Sequence, residues 1–316
     1  MKQNRRQFIS AIAAAGVSIP FISKMNFNPG SPQQKYPVRL FSKPLDSYGF
    51  DFMCECLVKS GIEGFDLTVR PEGKVEPSKV ETILPQLVAE AGKYKLKIDM
   101  MVTGILSVTD PFAEQVLKTA SFCGVKYYRL GWFQYEENSD ILQTLEKDRI
   151  LLTEIAELNR KYKIHGGYQN HSGTGVGGPV WDLHELLRDL PPEFLGSQYD
   201  VRHATVEGAN TWVLGMRLIA DHIRTLAVKD FTWMTVNGKP EAVTVPLGEG
   251  MVDWDTFFTM VKELDIIGPI TLHVEYPLLE NGEEKLPLIR QQEIIVKKLR
   301  KDMDFLNGYL AKYNLT

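Results

Sequence analysis

Cysteine is scarce in this chain: Cys54, Cys56 and Cys123 are all that 316 residues contain. So odd and sparse a set cannot build a disulfide framework. Cys54 and Cys56 stand two apart in a helical pattern, where they face different ways, so they read as core residues and not as a shared bridge or metal pair. Basic charge is not in excess either. Lys and Arg number 36 against 40 Asp and Glu, a net charge of −4. Without a positive field to hold a phosphate backbone, nucleic acid is excluded as a partner and a small molecule becomes the expected one. No phosphate-binding loop with its lysine is present, and His184-Glu185 lacks the second histidine of a helical zinc motif. Beyond the first 25 residues no run of 18 apolar residues occurs, so the mature chain should make no stable membrane insertion.

The N-terminal residues differ in character from the rest. Asn4-Arg5-Arg6-Gln7-Phe8-Ile9-Ser10 carries paired arginines with an aromatic two positions on, and the weakly apolar stretch Ala11 to Ile22 follows. That is the pattern of a bacterial twin-arginine export signal. The stretch is too short to span a bilayer, and no Ala-x-Ala cleavage site follows it. Residues 1–30 are therefore taken as leader and linker, outside the fold, and the protein is expected in the periplasm or otherwise exported. Such export carries proteins already folded, so any metal would be chosen in the cytoplasm.

From residue 38 to 316 short β-type runs alternate with helical patterns, with no break in composition. The expected strands are Val38–Ser42, Gly64–Thr68, Lys97–Thr103, Tyr127–Gly131, Ile164–Gln169, Ser197–Val201, Ile223–Lys229 and Ile270–Glu275. Between them, helices are expected from a Ser47 cap to Lys59, over 78–93, from Pro111 to Gly124, over 139–162, 181–190 and 208–221, and from Asp253 or Asp255 to Gly268, with a closing helix over 284–310. Eight such units favour a single-domain (β/α)8 TIM barrel over an open doubly wound sheet.

Barrels of this kind place reactive groups at the C-terminal ends of their strands. Four consecutive strand ends here are rich in them: Tyr168-Gln169-Asn170-His171, Tyr199-Asp200-Val201-Arg202-His203, Val228-Lys229-Asp230 and His273-Val274-Glu275-Tyr276. Aromatic residues near the rim suit the flat faces of a carbohydrate; Trp132 and Trp233, each just past its strand, are the best placed, and Arg129 and Arg70 could contact an anionic or hydroxyl-rich substrate. Gly173-Thr174-Gly175-Val176-Gly177-Gly178 matches a dinucleotide fingerprint, but its strand ends about four residues too early, and a flexible rim loop is the better reading.

The segments Asp200-Val201-Arg202-His203, Val228-Lys229-Asp230, Pro246-Leu247-Gly248-Glu249-Gly250-Met251-Val252-Asp253-Trp254 and Glu275 resemble the second half of the xylose-isomerase-like barrels of sugar isomerases and epimerases. The resemblance implies a divalent metal (Mn, Mg, Co or Zn) held by a Glu, an Asp, a His and a Glu on strands five to eight. Carried over, those positions are Gln169, Asp200, Ala227 and Glu275, so two of the four depart from the pattern. Ala227 cannot ligate, and Gln169 brings oxygen without charge; His203 is a candidate replacement ligand, or, with His171, a contact to substrate hydroxyls. An endonuclease branch of the same fold family needs a zinc cluster that six histidines cannot supply.

Isomerisation and epimerisation remove a proton from carbon beside a carbonyl, which requires a base and a group that stabilises the resulting oxyanion. Glu275 is the first choice of base and Asp200 the second, with Lys229 or His203 facing the oxygen. The expected substrate is a non-phosphorylated sugar or keto-sugar. Two alternatives stay open: a lyase or hydratase eliminating at a 3-keto-glycoside, and a degenerate barrel that binds sugar without turnover. A homo-oligomer is compatible with the exposed barrel ends and the closing helix.

Overall fold

Residues 36–315 are described in the computed structural model; the leader assigned to residues 1–30 lies outside them. Short β-branched and aromatic runs form the inner ring: β1 (Val38–Phe41), β2 (Gly64–Thr68), β3 (Lys97–Val102), β4 (Tyr127–Arg129), β5 (His165–Gln169), β6 (Leu195–Asp200) and β7 (Ile223–Val228). A two-stranded excursion, β8 (Asp230–Val236) and β9 (Lys239–Val245), precedes the last barrel strand, β10 (Ile270–Leu272). The barrel closes in the order β1-β10-β7-β6-β5-β4-β3-β2, with every pairing between its neighbours parallel. Around it stand α1 (Phe50–Ser60), α2 (Val80–Lys93), α3 (Ala113–Phe122), α4 (Ile141–Tyr162), α5 (Val180–Leu187), α6 (Val201–Gly208), α7 (Trp212–Leu218), α8 (Trp254–Glu263) and α9 (Leu288–Lys312). This is the expected (β/α)8 barrel.

The apolar core lies between strands and helices, where Met53 and Leu57 of α1, Phe257 and Phe258 of α8 and Leu299 of α9 are fully buried. Cys54 and Cys56 belong to this layer, as expected. The barrel interior is more polar. Asp66 of β2 is wholly buried among Thr271, Arg129 and Gln198, and burial pushes its carboxyl up to about 6. No helix among the described residues is long and apolar enough to cross a membrane.

Local chemistry moved several expected boundaries. Ser47 does not cap the first helix: Asp46 accepts hydrogen bonds from Ser42 Oγ (2.8 Å) and Thr68 Oγ1 (2.7 Å), which ties the loop to β1 and β2, and α1 begins after Gly49. Pro111 does not open α3, because Phe112 takes a left-handed φ of 66° and the helix begins at Ala113. The single helix expected over 208–221 is broken at Ala209, φ 42°, between α6 and α7. The β8–β9 hairpin was not anticipated at all. Its turn is Asn237-Gly238, with φ of 50° and 76°, the two positive values that a tight hairpin turn of matching twist requires.

Candidate active site

Adjacent strands deliver the polar groups to one end of the barrel. Asp200 ends β6 and caps α6: its Oδ1 accepts the His203 N–H at 3.0 Å, and the residue is completely buried. Its backbone is pinned by Asn170, whose amide accepts from Asp200 N and donates to Asp200 O, both at 2.8 Å. Gln169, at the end of β5, has an orientation fixed by its neighbours. The Arg129 guanidinium has only donors, so the oxygen 2.9 Å from its Nη1 is Gln169 Oε1, and Nε2 donates to Asp200 Oδ2 at 2.8 Å.

Lys229 follows β7 and is 3% exposed. Its Nζ donates to Glu275 Oε2 at 2.8 Å and lies 3.4 Å from Asp200 Oδ2. Burial, the largest single influence, tends to raise the Glu275 carboxyl, but the charge and hydrogen bond of Lys229, together with His273 and Lys43, overcome it and hold the group at about 2. Glu275, with 31% of its side chain exposed, also forms part of the wall of a cavity of about 400 Å³ whose other side is Lys43 and Pro44. The pocket is open to solvent and its remaining lining is Val274, Tyr276, Pro277 and Leu278, so of Glu275, Lys229 and His203 it reaches Glu275 alone.

His203 is held in one protonation state. Its Nδ1 faces the Ser172 N–H at 3.1 Å and Arg202 Nη1 at 3.0 Å, both obligatory donors, so Nδ1 carries the lone pair and the proton sits on Nε2. Desolvation, with the Lys229 charge, keeps the ring neutral. Nε2 is buried without a hydrogen-bond partner, 3.8 Å from Asp200 Oδ2. His171 lies against His203 with ring centroids 4.0 Å apart and planes tilted by 39°, and it has the opposite tautomer, since Nδ1 meets the Ser172 carbonyl at 3.0 Å. Its Nε2 lone pair is thereby left free.

Trp132 braces this wall. Its indole N–H reaches Gln169 O at 3.2 Å, and its ring covers the Arg129 guanidinium at 4.2 Å and meets His171 at 4.7 Å. Trp233 stands instead on the hairpin, 48% exposed and edge-on to Phe231. Asp230, grouped by sequence with Asp200, His203 and Lys229, serves another purpose. Its carboxylate accepts from the backbone N–H of Phe231, Gly248, Gly250 and Val252 and from the Trp254 indole, all at 2.9–3.2 Å. A Cβ at Gly250 would stand 2.2 Å from Asp230 Oδ1, so the Pro246–Trp254 loop can wrap this anion only with glycine there. Arg202, given no role from sequence, joins the hairpin to the site by donating to Ala242 O (2.6 Å) while it holds His203.

The residues present do not fit a divalent metal at the expected place. Ala227 has no donor atom, Gln169 turns its NH2 toward Asp200, and an ammonium already lies against both Asp200 and Glu275. His203 does not repair the set, because its Nε2 bears the proton and its Nδ1 is taken. Among the described residues no group of three or more His, Cys, Asp and Glu converges as a metal site would.

A family model described as xylose isomerase-like TIM barrel matches residues 54–298. No curated protein matches the chain. Among solved structures, D-psicose 3-epimerase from Clostridium cellulolyticum superposes with a TM-score of 0.65 at 10% identity, over 87% of this chain and 99% of the other. The probable 3-DHS dehydratase AsbF from Bacillus anthracis gives 0.60 at 16%, over 86% and 98%. The IolI protein, whose structure contains a zinc atom, gives 0.65 at 15%, over 86% and 99%. At these identities the likeness is one of fold.

Proposed function

The chain belongs to the xylose isomerase-like TIM barrel family, and on that premise we propose that it is an enzyme of the isomerase and epimerase kind that removes a proton beside the carbonyl of a non-phosphorylated sugar or keto-sugar. The observation that carries the reading is a solvent-reachable carboxylate, Glu275, held by the Lys229 ammonium, which in turn shares Asp200 Oδ2 as a neighbour with the unpartnered His203 Nε2–H.

Glu275 takes the proton. While Lys229 grips it the carboxylate is a weak base, but a carbonyl oxygen entering beside Lys229 competes for the same ammonium. As charge builds on that oxygen, Lys229 and His203 stabilise it and Glu275 gains basicity. Neutral imidazole suits this task, because its single N–H can donate to the growing oxyanion without setting a second positive charge beside Lys229. Inversion at carbon requires a proton from another direction; His171, whose Nε2 carries a lone pair, can return one only after first taking it from solvent, which its exposed position allows. Asp200 touches no substrate in this scheme; it positions Lys229 and the His203 backbone.

The same pair supports elimination, since Lys229, 2.8 Å from Glu275, can protonate a departing β-oxygen after the carbon proton is lost. Exchange in D2O with a panel of ketoses, aldoses and 3-keto-glycosides separates the readings. Deuterium in recovered or isomeric sugar supports isomerisation, unsaturated or cleaved product supports elimination, and binding without exchange would mean a sugar-binding barrel. Glu275→Gln should lower exchange by about 10²- to 10⁴-fold while leaving the fold intact; undiminished exchange would refute the assigned base. Export belongs to the proposal too, and its measure is whether residues 1–35 carry a folded reporter out of the cytoplasm.

A further inference from the structure

We propose that the Lys229 ammonium is the resident cation of this barrel, compensating the Asp200 and Glu275 carboxylates that would otherwise call for a divalent ion, and that Gln169 and Ala227 are the companion residues that make the site accept an ammonium and refuse a metal. The inference goes beyond the reaction and is independent of which sugar is used.

Lys229 Nζ lies 3.4 Å from Asp200 Oδ2 and 2.8 Å from Glu275 Oε2, with the side chain 3% exposed. A buried ammonium needs such partners, and two carboxylates without it would need another cation. Gln169 fits one of these arrangements only. An amide there donates to Asp200 and accepts from Arg129, whereas a carboxylate would set a third acceptor 2.8 Å from Asp200 with nothing positive between them. Ala227 and Lys229 are two apart at the end of β7, so they share a face, and Ala227 is paired in register with Asp200 on one side and Thr271 on the other. A methyl group at 227 brings no donor atom to this face. A dication entering this cluster would meet the lysine charge at contact distance and find Gln169 Nε2 turned toward its place.

The test reads metal binding directly, by calorimetry and by the visible absorption of Co2+, on the full chain after dialysis against chelator and then Mn2+, Co2+ or Zn2+. The wild type should take up less than a tenth of an equivalent of any of them. Restoring the donors and removing the ammonium together, in Gln169→Glu/Ala227→His/Lys229→Ala, should create a site for one Co2+ per chain at least a hundredfold tighter. One equivalent of metal on the wild type, lost in Asp200→Asn, would overturn the proposal, and that arm requires no redesigned variant to fold. A triple variant that is folded by circular dichroism yet binds no Co2+ would overturn the companion roles of Gln169 and Ala227.

Discussion

Replacing Lys229 by Met removes the charge while keeping most of the side-chain length, and the structure sets the expected cost. Asp200 is completely buried and loses the one permanent cation within 4 Å of it among the described residues, while Glu275 loses the main group that lowers its carboxyl to about 2. Breaking a buried pair by deleting one member costs about 3–5 kcal/mol. For a domain of this size that is a fall in Tm of roughly 6–10 °C at pH 8. The sign of the pH dependence follows from linkage. In the wild type the Glu275 carboxyl is depressed on folding, so its contribution is present above about 4.5 and is lost only as pH falls through about 2. In the variant Glu275 keeps its burial and loses the lysine charge, so its carboxyl binds protons more readily when folded than when unfolded, and stability recovers as pH falls from 8 to 5. Differential scanning calorimetry of both proteins at pH 8, 6.5 and 5 should therefore show a deficit that roughly halves across the series. The same deficit at every pH, or one of less than about 2 °C at pH 8, would refute the view that Lys229 compensates two carboxylates.

Three further outcomes are expected. His203→Phe should cost about 10²- to 10³-fold in kcat with His203→Gln, which keeps an N–H donor, losing less, and because His203 is held neutral, any inflection of wild-type kcat/KM in the histidine range should persist in His203→Gln and vanish in His171→Phe; its loss in His203→Gln would contradict the neutral state assigned to His203. Asp230→Ala leaves the backbone N–H groups of Gly248, Gly250 and Val252 and the Trp254 indole without their acceptor, and should lower stability by at least about 3 kcal/mol in urea unfolding; a smaller loss would mean that the loop holds its own shape. The Asp66 carboxyl is raised from 3.8 to about 6 in the fold, so its favourable contribution is full below about 4 and lost as pH rises through about 6. Asp66→Asn should then be more stable than wild type at pH 8 by on the order of 2–3 kcal/mol and not at pH 4, and equal stability at both would show that Asp66 is not a buried, strained acid.

The barrel was legible because its signal is local and repeated: β-type runs such as Lys97–Val102 alternate with helical patterns such as Val80–Lys93, and the period changes at each junction. The strand ends holding Gln169, Asp200, Lys229 and Glu275 were legible for the same reason. Other features depend on distant segments and carry no local mark. The His203 tautomer is set by Ser172 beyond β5 and by Arg202, whose other amine is anchored on the hairpin at Ala242. Asp230 belongs to the loop around Gly248 and Gly250 and not to the cluster beside it in sequence, and only the path of the chain decides between them. The hairpin could have been found, since Asn237-Gly238 sits between two β-rich runs; it was missed because a ninth and tenth strand have no place in a regular barrel count.

The order of the strands explains why these side chains form one system. β4, β5, β6, β7 and β10 are successive neighbours in the barrel, and each strand or the segment just past it contributes one member of a continuous belt along the rim: Arg129, Gln169, Asp200, Lys229, Glu275. Hydrogen-bonding capacity alternates along it. Arg129 can only donate, Asp200 and Glu275 when ionised can only accept, and Lys229 can only donate. Between the donor Arg129 and the acceptor Asp200 the belt needs a residue that accepts on one side and donates on the other, and glutamine does both. A glutamate at 169 satisfies Arg129 but confronts Asp200 with a second acceptor, and that mismatch is relieved only by a cation placed between them. Gln169 and Lys229 are therefore not independent features: with the amide in place the lone ammonium is enough to complete the belt, and with a carboxylate in its place it would not be.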